Sequence, residues 1–531
     1  MTIEKRSLKR AEAPQAAGVS SAVIGNFIQD LCESGIETHS LMVLRHGEIA
    51  FESWSAPYAP EVPHMMYSVS KSFASAAIGL AIEEGFLRLD TRLIDIFPEY
   101  APQKRDENLE KLTVYHLLTM TAGKNVNFLS GKANTNWAQD FFGAPWKFAP
   151  GESWQYVNEN IYMLCAALTK LTGMSVTDFL APRLYEPLGF GRVPFWETDP
   201  SGIEAGGWGL FLTTEELAKF ALCYLQGGQY EGKQILPAEW AQASVRKHAD
   251  SISKNIDGVF GYGMCFWRNS CPNTFRADGM FSQFAIVFED YDAILVITAS
   301  EVVEQHVRDC IWRHFPRAFT DKNEAQPLPV PQALPRLAPL EDLPPSLRSP
   351  LEKNIAGRTI RMRKQRLLKR INMPLSMLPV AVVYMSSDKA GNIDNIKFEF
   401  GDQECTMLWA EGDEQNSIVC GMDGTPRVSP LRLAGMDFTA SATAAWQSDN
   451  RLSVWVRPRE AVCQRRVDFT FHGGRVKAAF GSAPETKTIL HYIALNVDDF
   501  IKNPLLVKLV QGVLHRAHKF IEPSHKGRFA K

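Results

Sequence analysis

A hydroxyl and an amine stand three residues apart at Ser68 and Lys71, in the run Tyr67-Ser68-Val69-Ser70-Lys71. Residues three apart share a helix face, so the two side chains can touch, an attacking oxygen beside a proton acceptor. The residues that follow, Phe73, Ala74, Ala77, Ile78, Leu80, Ala81 and Ile82, leave little polar face before Glu83 and Glu84. A helix apolar nearly all round is a buried one, and Gly85 offers its C-terminal stop. The N-terminus of such a helix presents unpaired N–H groups and the positive end of its dipole, which suit a developing oxyanion. The spacing alone is common. Ser-x-x-Lys also occurs at Ser244/Lys247, Ser251/Lys254 and Ser386/Lys389, and about two matches are expected by chance at ordinary residue usage. Context chooses: Ser244 and Ser251 lie in a polar stretch, Ser386 precedes a hairpin turn at Asp388-Lys389-Ala390-Gly391-Asn392, and only Ser68 opens a long apolar helix.

A serine nucleophile also needs a group to move the proton and donors for the oxyanion. The single Tyr-x-Asn of the chain, Tyr156-Val157-Asn158, follows the turn Pro150-Gly151-Glu152 and precedes a helix. That junction can aim both side chains back at Lys71. A tyrosine beside a cation is expected to have a lowered pKa and to act as base; an asparagine can hold the lysine and a substrate carbonyl together. The same two residues also read as a packed aromatic and a helix cap.

The elements that position these groups change character along the chain. Ser21 to Glu33 has the spacing of an amphipathic helix, and Leu41–Leu44 with Ile49–Phe51 reads as a hairpin around His46-Gly47. From Phe86 to about Trp196 the pattern is helical and loopy, with helices expected at Val114–Met120, Asn158–Thr172 and Val176–Leu184, and another at Thr214–Gln226. Tyr262–Trp267, Thr274–Ala277, Phe281–Phe288 and Ala293–Ala299 then read as antiparallel strands, closed by a helix over Val302–Phe315. Eight prolines between Asn323 and Pro350 mark an extended linker. Beyond it, short strands are expected at Leu378–Tyr384, Ile396–Phe400, Glu404–Trp409, Ser417–Cys420, Phe438–Trp446, Arg451–Arg457, Arg465–Phe471 and Arg475–Phe480, the pattern of a small β-barrel or sandwich. Val497–Ile521 returns to helix with a break near Pro504. The basic run Arg358–Arg366 reads most simply as a solvated face.

With 531 residues, two or three domains are expected. A net charge of −2 argues against nucleic acid as the main partner. The longest apolar runs fall short of a membrane span, so no membrane partner is expected. The charged N-terminus to Gln15 has no apolar core, and the expectation is a cytoplasmic protein. Nine scattered cysteines with no Cys-x-x-Cys read as buried thiols. There is no Gly-x-Ser-x-Gly, no phosphate loop and no His-Glu-x-x-His; neither metal nor cofactor is expected.

Taken in order, Tyr67-Ser68-Val69-Ser70-Lys71, Leu112–Gly123, Pro150–Asn158 and Gly206-Gly207-Trp208-Gly209-Leu210 with Thr213-Thr214 resemble the serine β-lactamase-related family. The likeness runs from roughly Gly35 to Phe315. It is nearest the class C-like branch that includes family VIII esterases, D-amino-acid peptidases and aminohexanoate-oligomer hydrolases. The resemblance implies an α/β fold, an antiparallel sheet beside a helical region with the site between them. It implies Ser68 as acylated nucleophile, Lys71 as the amine that helps deprotonate it, Tyr156 as general base and acid, and Asn158 as ligand of substrate and lysine. The family's third motif, Lys-Thr-Gly or His-x-Gly, falls on Ala277-Asp278-Gly279, followed by Met280 and Gln283. Gly279 would allow close approach of an acyl chain, and the N–H groups of Met280 and Ser68 would form the oxyanion hole. Ala277 replaces the cation that favours carboxylate-bearing substrates in that family. Asp278, if it faces the cleft, would prefer a cationic or neutral one. The β-rich tail, through Ala445–Arg457, resembles lipocalin-like barrels.

The expected organisation is therefore a β-lactamase/DD-peptidase-like domain over 1–322, a linker over 323–350, a β-rich barrel-like domain over 351–486 and a C-terminal helical segment over 487–531. The expected activity is hydrolysis of a small-molecule ester or amide. A β-lactamase or D-amino-acid peptidase, and a non-catalytic ligand- or partner-binding module, are the alternatives. A homo-oligomer is left open.

Overall fold

The computed structural model describes residues 3–102, 106–126, 136–320, 333–335, 337, 348–363, 376–379, 382, 392–495, 497, 503–522 and 524–530. These divide into two compact units, the first ending at residue 335 and the second beginning at residue 337. Most of the proline-rich stretch 323–350, the hairpin turn expected after Ser386, the end of the basic run at 364–366 and residues 380, 381, 383 and 384 of one expected strand lie outside the described residues.

In the first unit, β1 (Thr38–Arg45) and β2 (Glu48–Trp54) form the hairpin read from the sequence. Four later strands complete the sheet: β3 (Trp267–Arg268), β4 (Thr274–Gly279), β5 (Gln283–Phe288) and β6 (Ala293–Ala299). Their order is β2-β1-β6-β5-β4-β3, antiparallel throughout, with Val43 opposite Leu295 and Ala277 opposite Ala285. Tyr262–Phe266, expected as strand, makes only isolated bridges, at Tyr262. One sheet face buries Leu41, Val43, Phe284, Ile286, Leu295 and Ile297 against α1 (Ser21–Glu33) and the helix Glu304–His314. Side chains alternate along strands, so residues of the other register, such as Met42 and Val296, are buried on the opposite face.

The helix after Ser68, α2 (Ser70–Glu83), is buried from Ser70 to Ala81. Its apolar positions pack all round, as the pattern requires: Phe73 stacks on Phe220 at 3.8 Å. Gly79 lies flat against Trp240, where a Cβ would come within 2.4 Å of the indole. Ser70, Ser72 and Ser75 are also buried, and each is bonded to backbone. Ser72 Oγ donates to Cys265 O and Ser75 Oγ to Met264 O, both at 2.8 Å. Ser70 Oγ donates to Tyr67 O at 2.6 Å and accepts from Leu210 N at 3.1 Å. These bonds tie the helix to the strand-side loops without leaving polar groups unpaired.

The second unit is a β-barrel. Ten strands are described: β7 (Ile360–Met362), β8 (Ile393–Phe400), β9 (Glu404–Glu411), β10 (Glu414–Gly421), β11 (Arg427–Leu433), β12 (Met436–Ser448), β13 (Arg451–Pro458), β14 (Gln464–His472), β15 (Arg475–Ala483) and β16 (His525–Phe529). They run β10-β9-β8-β7-β16-β15-β14-β13-β12-β11, and Gly421 at the end of β10 pairs with Thr443 of β12. Where β10 meets β11, side chains bridge: Val419 N donates to Ser429 Oγ and Arg432 N to Asn416 Oδ1. Pro430, lacking an N–H, is tolerated at such an edge, and that proline hid the strand in the sequence. The basic run proves to alternate, with Ile360 and Met362 buried and Arg361 and Arg363 exposed. His525–Phe529, placed by the sequence reading in a C-terminal helical segment, pairs with β7 and β15 as a barrel strand. Ser376–Leu378, which leads into the strand expected at Leu378–Tyr384, has a different role. Inward-facing Glu411 accepts from Ser376 Oγ and Met377 N, while inward-facing Arg465 donates to the carbonyls of Ser376 and Leu378. Two further helices follow β15: α3 (Thr486–Leu495), which packs on α4 (Pro504–Ile521).

Candidate active site

Ser68 stands not in α2 itself but in a 3₁₀ turn, Tyr67–Val69, that leads into it. Tyr67 has φ of 46°, a left-handed conformation uncommon for a side chain of its size. It is held by burial of its ring, which meets Phe281 edge-on at 5.2 Å. The turn leaves Ser68 partly exposed and Lys71 wholly buried beneath it.

Lys71 Nζ lies 2.8 Å from Ser68 Oγ, 2.7 Å from Asn158 Oδ1 and 2.6 Å from Gly207 O. Asn158 is the first residue of the helix Asn158–Thr172. Gly207 is the partner that the sequence reading placed only within a motif; its backbone runs so close to Asn158 that a Cβ would meet Asn158 Cβ at 3.1 Å. Burial pushes the Lys71 amine down to about 7, against the smaller opposing pull of Cys265, Glu159 and Asp278. A neutral amine has two N–H bonds and one lone pair. Asn158 Oδ1 and Gly207 O can only accept, so in that form they take the two hydrogens and the lone pair faces the serine hydroxyl, whereas the ammonium donates to all three.

Tyr156 is brought to the same spot. Lys71 Nζ lies 4.7 Å from its ring centroid, and Ser68 is near enough to act on its hydroxyl. The expectation of a lowered phenol pKa fails. Burial pushes Tyr156 well above its usual value; Ser68 pulls the other way, and Asp278 adds repulsion. The neighbour expected to supply a cation is itself pushed toward the neutral form, so Tyr156 is a neutral phenol. A wall of rings surrounds it. Trp267 stacks on it at 5.6 Å, while Trp154 and Tyr262 meet Trp267 edge-on at 5.6 and 5.0 Å. Trp267 was not singled out from the sequence; its signal is its place on β3, paired with Arg276 of the third-motif strand.

On that strand, Ala277 stands where a cation was sought and is buried. Asp278 offers no free carboxylate. It pairs with Arg276 Nε at 2.6 Å and lies 3.6 Å from Arg308 Nη1. It shares a register position with Phe284, on the face packed against Glu304–His314. Gly279 is needed for a contact within the protein: a Cβ there would come within 2.3 Å of Met66 O. The turn Met280–Ser282 follows, with left-handed Phe281 and Ser282. Gln283 pins it to β6: the two hydrogens of its Nε2 are shared among Met280 O at 3.1 Å, Phe281 O at 3.0 Å and Ala299 O at 2.8 Å. Gly279 against Met66 and Phe281 against Tyr67 hold both flanks of Met280 beside the residues that precede Ser68. Among the described residues, no group of three or more His, Cys, Asp or Glu side chains is arranged to hold a metal ion.

The chain resembles 6-aminohexanoate-dimer hydrolase of Paenarthrobacter ureafaciens, 24% identical over 39% of this chain and 56% of that protein. It resembles esterase EstB of Burkholderia gladioli at 26% identity over 35% and 54%. It spans about half the length of the curated relatives it matches. A solved structure of SurE aligns over 85% of this chain and 94% of that one, at 16% identity and a TM-score of 0.47. The family model described as Beta-lactamase matches residues 16–315, more than half of the sequence, and the chain belongs to that family.

Proposed function

We propose that the protein is a serine hydrolase of small esters or amides, working through an acyl-enzyme on Ser68. The observation that carries this reading is the trio of contacts on Lys71 Nζ: once the amine is neutral, Asn158 Oδ1 and Gly207 O take its two hydrogens and its lone pair is free for the Ser68 proton. Ser68 Oγ attacks the substrate carbonyl carbon and its proton passes to Lys71. The carbonyl oxygen, now negative, is received by the N–H groups of Ser68 and Met280. Tyr156 hands its phenol proton to the leaving alkoxide or amine and regains one from Lys71, acting as a relay rather than as the base. Water then attacks the acyl carbon along the reverse path and frees Ser68. Asn158 orients Lys71 and is placed to donate its amide to a substrate carbonyl. Ala277 and the ion-paired Asp278 leave no free cation at the third motif, which favours substrates without an essential carboxylate over penicillins and peptide C-termini. The names of the relatives, an esterase and an amide hydrolase, agree with that class. Nine free thiols support a reducing compartment, the cytoplasm.

The test is hydrolysis of a short nitrophenyl ester by wild type and by Ser68→Ala. Turnover by wild type with loss in the variant is expected. Equal activity of the two would remove Ser68 as nucleophile, and inactivity of both would point to a binding module.

A further inference from the structure

The helix α4 carries an apolar face that the described residues leave uncovered. Leu505 is 78% exposed, Leu509 63% and Val513 60%, with Leu506 at 49% beside them. Positions 505, 509 and 513 repeat every four residues, so they form one stripe, and Arg516 continues the same line. Lys508 flanks it, also exposed. The opposite side of the helix, including Val507, Val510 and Leu514, is less exposed, and the helix packs on α3. The exposed leucines are therefore not the helix's route into its own core. Leu495, the last residue of α3, adds a further half-exposed side chain.

Charge decides what fits this face. From Asn503 to Ile521 the sequence holds Lys508, Arg516 and Lys519, and no aspartate or glutamate. A second copy of the chain, docked by the same stripe, would set Arg516 and Lys508 near their own counterparts, and like charges at an interface disfavour the pair. An anionic, featureless apolar layer suits it instead. Leucines enter the acyl boundary while lysine and arginine stems lie along it and hold their charges at the headgroups. No helix among the described residues is long and apolar enough to cross a membrane, so the helix would lie on the surface. We propose that α4 is an interfacial anchor by which the protein binds anionic lipid surfaces, through Leu505, Leu509 and Val513 with Lys508 and Arg516. This goes against the absence of a membrane partner expected from the sequence, where the helix was read by length alone.

The test is flotation of the full chain with vesicles of phosphatidylcholine alone or mixed with phosphatidylglycerol. Binding to the mixed vesicles is expected, weakening as salt rises. Leu505→Glu/Leu509→Glu should reduce it at least about tenfold, because a carboxylate must leave water to enter the layer. Lys508→Gln/Arg516→Gln should reduce it by roughly fivefold per charge. The far-ultraviolet circular dichroism and urea midpoints of both variants should match those of wild type, which shows that they fold. No wild-type binding to the mixed vesicles, or binding untouched by the double leucine change, overturns the proposal. So does a dimer by light scattering that Leu509→Glu converts to monomer, which would make the stripe a self-interface.

Discussion

Lys71→Met should make the protein more stable at pH 7 and less stable at pH 10, while abolishing most of its activity. Burial lowers this lysine to about 7 from an ordinary 10.5. Each unit is worth about 1.4 kcal/mol, so holding the amine at about 7 costs folding on the order of 4 kcal/mol at pH 7. Methionine of similar length removes that cost but leaves Asn158 Oδ1 and Gly207 O without their donor, a loss of about 1 kcal/mol each. The net gain at pH 7 is roughly 2 kcal/mol. The sign changes with pH. Between about 7 and 10.5 the unfolded chain holds this proton and the folded one does not, so wild-type stability rises with pH by up to about 1.4 kcal/mol per unit. Near pH 10 the cost has almost gone, and only the lost hydrogen bonds distinguish the variant, now by about 1 to 2 kcal/mol against it. Urea unfolding of both proteins at pH 7 and pH 10 measures the crossing. The kinetic counterpart is an acid limb in kcat/KM with an apparent pKa near 7, present in wild type and retained at low amplitude in Tyr156→Phe. A variant less stable than wild type at pH 7, or a difference that does not move with pH, would refute the buried neutral amine. An acid limb that vanishes with Tyr156→Phe would return the role of base to the phenol.

Gln283→Ala removes the two contacts to the Met280 turn and the one that ties it to Ala299, and kcat should fall by about tenfold or more with little change in KM, since the proposed oxyanion donor would be engaged in the transition state. Steady-state kinetics with the nitrophenyl ester separates this from a lost binding contact, which would raise KM alone. His64, whose Nδ1 donates to Met65 O at 3.0 Å and whose Nε2 lies 2.9 Å from His39 Nδ1, is held down to about 3 by burial. Its unfolded form protonates near 6.5, so its contribution to stability is intact above that pH and is lost as pH falls from 6.5 toward 3; urea midpoints of His64→Gln should fall less steeply over that window than those of wild type.

The chemistry was legible where it depended on local spacing. Ser68 and Lys71 meet because three residues is a helical turn, and Asn158 reaches them from a loop-to-helix junction that a turn signal marks. The sheet was legible from the period of its strands, hairpin first. What the sequence concealed is what distant segments supply. Gly207 completes the lysine's partners from outside any helix, and no pattern in a glycine-rich loop says which carbonyl points inward. The phenol's raised pKa follows from burial, which one sequence does not display. Asp278 looks like a ligand group in the sequence, which does not display its ion pair with Arg276 or the approach of Arg308, thirty residues on. In the barrel, strands with clear alternation such as Arg465–Phe471 were found. Arg427–Leu433 was missed for its proline, and His525–Phe529 for its charge and its distance from the other strands.

The order β2-β1-β6-β5-β4-β3 places the first hairpin against the last long strand. Ser40 Oγ lies 2.6 Å from Thr298 Oγ1, a partner 258 residues further along the chain. On a ribosome adding roughly 5–20 residues per second, the free edge of β1 therefore waits on the order of ten seconds to a minute before its neighbour emerges. Throughout that interval it offers unpaired backbone to any passing strand. The Ser68 turn is made early, but Gly279 and Phe281, which press on Met66 and Tyr67, come from the late strands. A nascent chain thus carries the proposed nucleophile long before the residues around it are complete, and any truncation ahead of residue 299 leaves Ser68 and Lys71 without the sheet that seats them.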